Sequence, residues 1–417
     1  MRIATGEVFG RVATFILYAY VSRRYGVEVF GILALGQTAS VYVVTGADQG
    51  LKLIAVRLLA RDAGLAKYLV SAIGRLRAGF TAVAVLLGVC YGLFGPVPSL
   101  ARGCVVAYAL AVVPYSFALD WLAWGLGHFG ILALWRSGSV ILYVALAIAT
   151  MEATNRPVAS FASANFLAAI VGALFLWLVW RLKFSPSLGL PSPEAIRDAD
   201  EQLRVSRVMT LGLSNFLNLI FMNADVLLLG ALTTTHEVGR YSAACRPLYV
   251  IFMGFWLLTD VLYPHIAGVK ESHEARRSLF RWLAVVAIVS ALVAAVLAWL
   301  SPQLLTIVYG STMGADRLFR ILLIAMPLDF CFSLLWTVLV SRGYDRLVLR
   351  TLAAGAVTNV ALNLALIPRF QAAAAAWVTV ASYALVLVMA TIFVLKNNVL
   401  SHKVEQEEVP MPSGFAL

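Results

Sequence analysis

Charged residues are scarce in this chain. Asp, Glu, Lys and Arg make up 13% of its 417 residues, against about 25% in soluble domains. Cysteine is also rare. The four present, Cys90, Cys104, Cys245 and Cys331, show no metal-ligand spacing. Cys90 and Cys104 flank the turn at Pro96 and are the one pair that could share a depth, but buried free thiols are the commoner arrangement. The five histidines, His128, His236, His265, His273 and His402, form no HExxH and no paired-ligand pattern. A phosphate-cradling GKS/T loop and a G-x-S-x-G nucleophile elbow are both missing. Gly125-Leu126-Gly127-His128-Phe129-Gly130 spells G-x-G-x-x-G. It lacks the preceding strand and βαβ unit that dinucleotide binding requires. No metal, cofactor or catalytic residue is therefore expected, and the protein is not expected to be an enzyme.

What the chain has in abundance is apolar surface. It is 61% hydrophobic with a mean hydropathy of +0.88, and the apolar residues fall in long continuous runs. A bilayer core takes about 20 apolar residues per helix. Twelve spans are predicted: 3–21, 31–51, 78–94, 105–126, 138–151, 159–180, 208–232, 241–266, 282–300, 318–340, 349–367 and 373–395. Their residues do not alternate polar and apolar, which excludes a β-barrel. The N-terminal run lacks a basic leader region and a small-residue cleavage site, so it reads as the first span, not a signal peptide. The fold class is thus all-α and polytopic.

The net charge of +11 could suggest nucleic acid, but the basic residues sit in the short connections between apolar runs. That is the positive-inside bias of a membrane protein, and no nucleic-acid partner is expected. With the N-terminus inside, 22 of the 32 Lys and Arg residues lie in inner connections and tails and 7 in outer connections, and the other three, Arg11, Arg246 and Arg320, fall within spans. Both termini are expected in the cytoplasm.

The longest polar stretch, Arg181 to Arg207, reads as a proline-rich linker (Pro186, Pro191, Pro193) followed by an amphipathic surface helix. It divides the chain into an N-terminal six-helix half (1–181), a cytoplasmic linker (182–207), a C-terminal six-helix half (208–395) and a cytoplasmic tail (396–417). The halves read as a repeat. Gly31 pairs with Gly239, Pro114 with Pro327, and Gly127 with Gly343, at offsets that drift slowly as loop insertions would make them. Six spans per half make it a parallel repeat about an axis normal to the membrane, around a central cavity. Three GxxxG pairs, Gly6–Gly10, Gly46–Gly50 and Gly88–Gly92, suit close helix packing within the bundle.

The hairpin at Val21–Asp62 carries a family resemblance. Arg24, Gly26, Glu28, Phe30 and Gly31, then Asp48-Gln49-Gly50-Leu51, resemble the opening of bacterial polysaccharide exporters. These are the O-antigen flippase branch of the multidrug/oligosaccharidyl-lipid/polysaccharide exporter superfamily. An aromatic is usual where Gln49 stands. In the second half, Asn223-Ala224-Asp225-Val226-Leu227-Leu228-Leu229-Gly230 with Glu237-Val238-Gly239-Arg240-Tyr241 resembles the seventh-to-eighth-span pattern, and Asn359 to Pro368 resembles the eleventh span. A glycine pair usually follows there; Phe370-Gln371 and an alanine run replace it. The resemblance covers nearly the whole chain. It implies a flippase that carries an oligosaccharide on a polyprenyl pyrophosphate from inner to outer leaflet by alternating access, for surface polysaccharide assembly in a bacterial inner membrane. Its partners would be that lipid-linked oligosaccharide, membrane lipids and other polysaccharide-assembly proteins. A cation-coupled multidrug exporter of the same superfamily is the alternative within transport. A membrane-embedded glycan polymerase or glycosyltransferase is the alternative outside it, but the longest outer connection, Ser301 to Arg317, is short for a catalytic loop and holds one acid, Asp316.

Charges inside spans are costly in lipid and mark function or internal pairing. Arg11, Arg246, Asp225 and Asp329 are the substrate-cavity candidates. Asp225 with Arg246 could equally be an internal ion pair on successive helices. Asp48, Asp120 and Asp260 lie near inner ends, where they could reach the interface. Pro114 and Pro327 are hinge candidates, since an intrahelical proline removes a hydrogen bond and bends the helix. Cationic residues in the first span of the family's lipid II flippases place Arg11 as a pyrophosphate ligand, with Arg246 as its partner from the other half.

Overall fold

The computed structural model describes the backbone of residues 2–184, 191–267 and 273–396, and the side chains of 10, 12–184, 191–255, 277–344 and 346–396. Among the described residues the chain is helical, without strands: α1 Arg2–Asp48, α2 Leu51–Arg61, α3 Ala66–Phe94, α4 Ser99–Ser116, α5 Asp120–Gly125, α6 Phe129–Thr154, α7 Pro157–Val179, α8 Pro193–Gln202, α9 Val205–Leu232, α10 Thr235–Ala267, α11 His273–Trp299, α12 Ser301–Tyr309, α13 Asp316–Leu323, α14 Ala325–Ser341 and α15 Asp345–Lys396. Hydrocarbon offers backbone groups no partners, so each crossing must satisfy its own within a helix.

Nine described stretches are long and apolar enough to cross a membrane. Two of these hold two crossings each. α1 is broken at Gly26 (φ 81°, ψ −176°), and α15 at Gln371 (φ 51°, ψ −134°). Counting their halves separately and adding α10, which is 33 residues long, accounts for the twelve spans. The protein is an all-α, polytopic membrane protein.

Several boundaries differ from the sequence expectation. The break between the first two crossings is narrower than the polar segment Ser22–Gly31: helix runs up to Gly26 from both sides, and the backbone breaks there, at a positive φ that glycine enters freely. The basic segment that follows the second crossing, with Lys52, Arg57 and Arg61, is α2, which buries Leu51, Ile54, Ala55, Val56, Leu58 and Leu59. The fifth crossing, short by hydropathy, is the 26-residue α6. The tenth is two helices, α13 and α14, which meet at Ile324. The connection Ser301–Arg317 holds α12, started by a proline in its first turn and stopped by Gly310 at φ 80°.

The chain forms two compact units, 1–219 with 234–236, and 220–233 with 237–417. In the first, the halves of α1 pack on α3, α4 and α6, while α7 packs on α4 and α6. A core at one end of this unit joins α2, α5 and the linker helix: Leu58, Leu59, Trp121, Leu122, Ala199 and Leu203 are buried together. Ser192 caps α8 by accepting from the Ala195 backbone N–H at 3.1 Å. In the second unit, α14 packs on α11 and α15, and α13 on α15.

One turn occurs in both units. After α5, the N–H of Gly127 donates to Trp124 C=O and that of His128 to Ala123 C=O. After α14, the N–H of Gly343 donates to Val340 C=O and that of Tyr344 to Leu339 C=O. Both glycines sit at φ 73°. The match, 216 residues apart, is the structural form of the Gly127–Gly343 correspondence read from the sequence.

Candidate functional site

Asp225 is held by side chains from two other helices. It stands in α9, two positions from Asn223, and is buried. Tyr241 of α10 donates its hydroxyl to Asp225 Oδ2. Thr379 of α15 lies 3.4 Å from the same oxygen and 3.1 Å from the Tyr241 hydroxyl. The Thr379 hydroxyl also lies 2.9 Å from the Ala375 carbonyl, so its single proton serves either acceptor. Asp225 Oδ1 is buried without a hydrogen-bond partner among the described residues. A buried carboxylate with one oxygen unmatched is the chemistry of a group that takes up a proton or a small cation. Farther along the same unit, Asn363 donates to Asn359 Oδ1 at 3.0 Å within α15, and both are buried.

The other candidates fall elsewhere. Asp225 makes no ion pair with Arg246 among the described residues; its carboxylate faces Tyr241 and Thr379. Arg246 is half-buried on α10, beside buried Cys245. Asp329 is buried on α14, next to Phe330, whose ring stacks on Phe255 at 3.8 Å. Arg11 lies in α1 and Asp260 in α10, but both side chains are outside the described residues. Pro114 is inside α4, two residues before its end. Pro327 is the third residue of α14, just past the α13–α14 break.

The structure also shows paired charges the sequence did not resolve. In the first unit, Arg77 is buried, bonds Asp48, and donates to the Ser116 and Ala118 carbonyls at 3.0 and 3.4 Å. Lys52 bonds Asp120 and sits 5.3 Å above the Trp124 ring, with Arg136 5.7 Å from it. Asp120 is thus buried and Asp48 partly buried, each held by a cation of the same unit. Burial alone would push the Asp120 carboxyl up, but Lys52 and Arg77 outweigh it and hold the carboxyl below its ordinary range. In the second unit, Glu237 accepts from Arg240 at 2.8 Å and from the Ala372 backbone N–H at 3.4 Å. Arg240 also binds the Gly314 carbonyl at 3.2 and 2.9 Å. This clamp holds the start of α10 to the bend of α15. Glu237 and Arg240 were visible as part of a pattern, but nothing local in sequence tied them to Gly314 and Ala372. No cluster of three or more metal-ligating side chains occurs among the described residues.

Two family models match this chain. The polysaccharide biosynthesis protein model spans residues 2–270, and the MatE model spans 210–365. The chain belongs to the polysaccharide biosynthesis protein family. That family assignment agrees with the fold of solved structures. The chain resembles a structure described as lipid II flippase MurJ in an inward closed conformation, with a TM-score of 0.72 at 12% identity over 94% of this chain and 87% of that one. It also resembles an inward-facing multidrug resistance MATE family transporter of the MOP superfamily, with a TM-score of 0.60 at 14% identity over 94% of each chain. A third resemblance, with a TM-score of 0.58 at 15% identity over 95% of each, is to a MATE protein in complex with MaL6. No curated protein matches the chain. This polysaccharide biosynthesis family member has the fold of a MOP superfamily transporter, and the families it matches are transporters.

Proposed function

We propose that the protein flips an oligosaccharide linked to polyprenyl pyrophosphate from the inner to the outer leaflet, for surface polysaccharide biosynthesis. The match of residues 2–270 to the polysaccharide biosynthesis family carries this reading. The chemistry agrees. A pyrophosphate cannot cross hydrocarbon unaided, and an intramembrane guanidinium offers it a charge-assisted, two-pronged site. Arg11 and Arg246 take that role. Asp225 and Asp329 complete the cavity, Pro114 and Pro327 act as hinges, and the two six-helix halves (1–181 and 208–395) alternate access. The membrane is the bacterial inner membrane, with both termini cytoplasmic. The partners are the lipid-linked oligosaccharide, surrounding lipids and other polysaccharide-assembly proteins, and the protein carries out no chemistry on the sugar.

The alternative, a cation-coupled multidrug exporter, is favoured by the MatE match over residues 210–365 and by the buried carboxylate of Asp225. Deletion of the gene separates the two. The flippase reading expects lipid-linked oligosaccharide to accumulate and surface glycan to fall, with restoration by wild type but not by Arg11→Ala. Normal surface glycan with raised drug sensitivity would favour the exporter.

A further inference from the structure

A groove of about 790 Å³ opens between α4 and α7 in the first unit. Gly103, Ala107 and Leu110 form one wall, and Ala159, Ala162 and Phe166 the other. Spacings of three and four put each set on one helix face. Gly103 does not serve close packing, since a Cβ built on it meets nothing within 4 Å. Leu110 and Phe166 are exposed. In a bilayer such a groove is filled by lipid.

Arg156 stands at one end of the groove, just before α7 begins. Its side chain is exposed and has no ion-pair partner among the described residues. Glu152, the nearest acid in sequence, is engaged by Tyr20 and lies 3.8 Å from Arg24. No acid lines the groove. From Arg156 to Phe166 the helix rises about 15 Å. That is about half of a ~30 Å hydrocarbon core. The groove therefore starts at head-group level and ends near the bilayer midplane.

We infer that this groove is a binding site for one anionic phospholipid, its phosphate on Arg156 and an acyl chain between α4 and α7. The one-leaflet length favours a phospholipid over a polyprenyl chain, which would overrun the groove. A free cation at the rim of an apolar channel selects an anionic head group over a zwitterionic one. On the proposed orientation the lipid comes from the outer leaflet. The site is separate from the transport candidates Arg11, Arg246, Asp225 and Asp329.

Native mass spectrometry of the purified full-length protein tests this, with phosphatidylglycerol and phosphatidylcholine as probes. Wild type should retain phosphatidylglycerol over phosphatidylcholine. Arg156→Ala should cut phosphatidylglycerol retention about fivefold and abolish the preference. Gly103→Leu, which fills the groove without meeting a neighbour at its Cβ, should reduce retention of both lipids. Circular dichroism and size-exclusion profiles matching wild type would show that both variants fold. Equal retention of the two lipids by wild type would overturn the head-group assignment. Undiminished phosphatidylglycerol in both folded variants would overturn the site. Displacement of phosphatidylglycerol by equimolar polyprenyl phosphate would overturn the occupant.

Discussion

Tyr241 directs its hydroxyl at Oδ2 of Asp225, across the α9–α10 pair and inside one compact unit. A tyrosine hydroxyl has one proton, and here it goes to the carboxylate. Tyr241→Phe removes that donor and leaves a buried carboxylate to Thr379 alone. The expected cost is about 1–3 kcal/mol, read as a lowered melting temperature in detergent. Asp225→Asn removes the buried charge and with it any proton or cation uptake at this site. It should insert and fold but transport slowly. Wild-type transport by Asp225→Asn would remove Asp225 from the mechanism.

Arg77 links α1, α3 and the chain before α5 through Asp48, Ser116 and Ala118. Removing one member of a fully buried pair costs about 3–5 kcal/mol, and the partial exposure of Asp48 places this pair toward or below the lower end. Arg77→Ala should therefore lower abundance and thermal stability sharply. Stability within about 1 kcal/mol of wild type would show that the pair is solvated.

Asp120 adds a pH dependence whose sign is set by its lowered pKa. A depressed carboxyl contributes stability that is fully present above its unfolded value, about 3.9 for an aspartate, and is lost as pH falls through the folded value. Thermal stability referred to the Asp120→Asn variant should hold flat above about pH 4 and converge below it. A difference that grows on acidification would contradict the pairing with Lys52 and Arg77.

Gln371 bends α15 at φ 51°, a region that costs a side chain roughly 1 kcal/mol and glycine little. Gln371→Gly should stabilise the protein by about that amount, or leave it unchanged where glycine's greater unfolded entropy offsets the gain. A loss of more than about 1 kcal/mol would mean that the Gln371 side chain itself holds the bend.

Pro114 and Pro327 both lie close to helix ends, at the last turn of α4 and the first turn of α14. As hinges they should slow transport when both become alanine, with insertion intact. A double variant that transports at the wild-type rate would reduce them to static features of packing.

Much of the fold was legible because hydropathy over about twenty residues is a strong signal. The repeated turn was legible because Gly127 and Gly343 answer to a backbone need that few other residues meet. Element ends were harder. α2 intersperses three basic residues with six buried apolar ones, and as a continuation of the second apolar run its separate start at Leu51 has no local signal beyond Gly50. The break between the eleventh and twelfth spans was expected at 368–372 and falls at Gln371, but the positive φ there was not legible, because glutamine does not announce one. The site was legible as a set of charged positions but not as a set of contacts. Asp225 stood out by its cost in lipid, whereas Tyr241 and Thr379 became its partners only through the packing of α9, α10 and α15. Arg77 and Asp120 are joined to Asp48 and Lys52 over separations that no sequence window spans.

The central claim is that the protein moves a lipid-linked oligosaccharide across the bilayer. Its most direct test is transbilayer movement of a fluorescent polyprenyl-pyrophosphate oligosaccharide in proteoliposomes, read by a membrane-impermeant quencher. Wild type should expose the inner-leaflet pool to the quencher, and Arg11→Ala, reconstituted to the same density, should leave it protected. Protection that is the same with wild type, Arg11→Ala and empty liposomes would contradict the account.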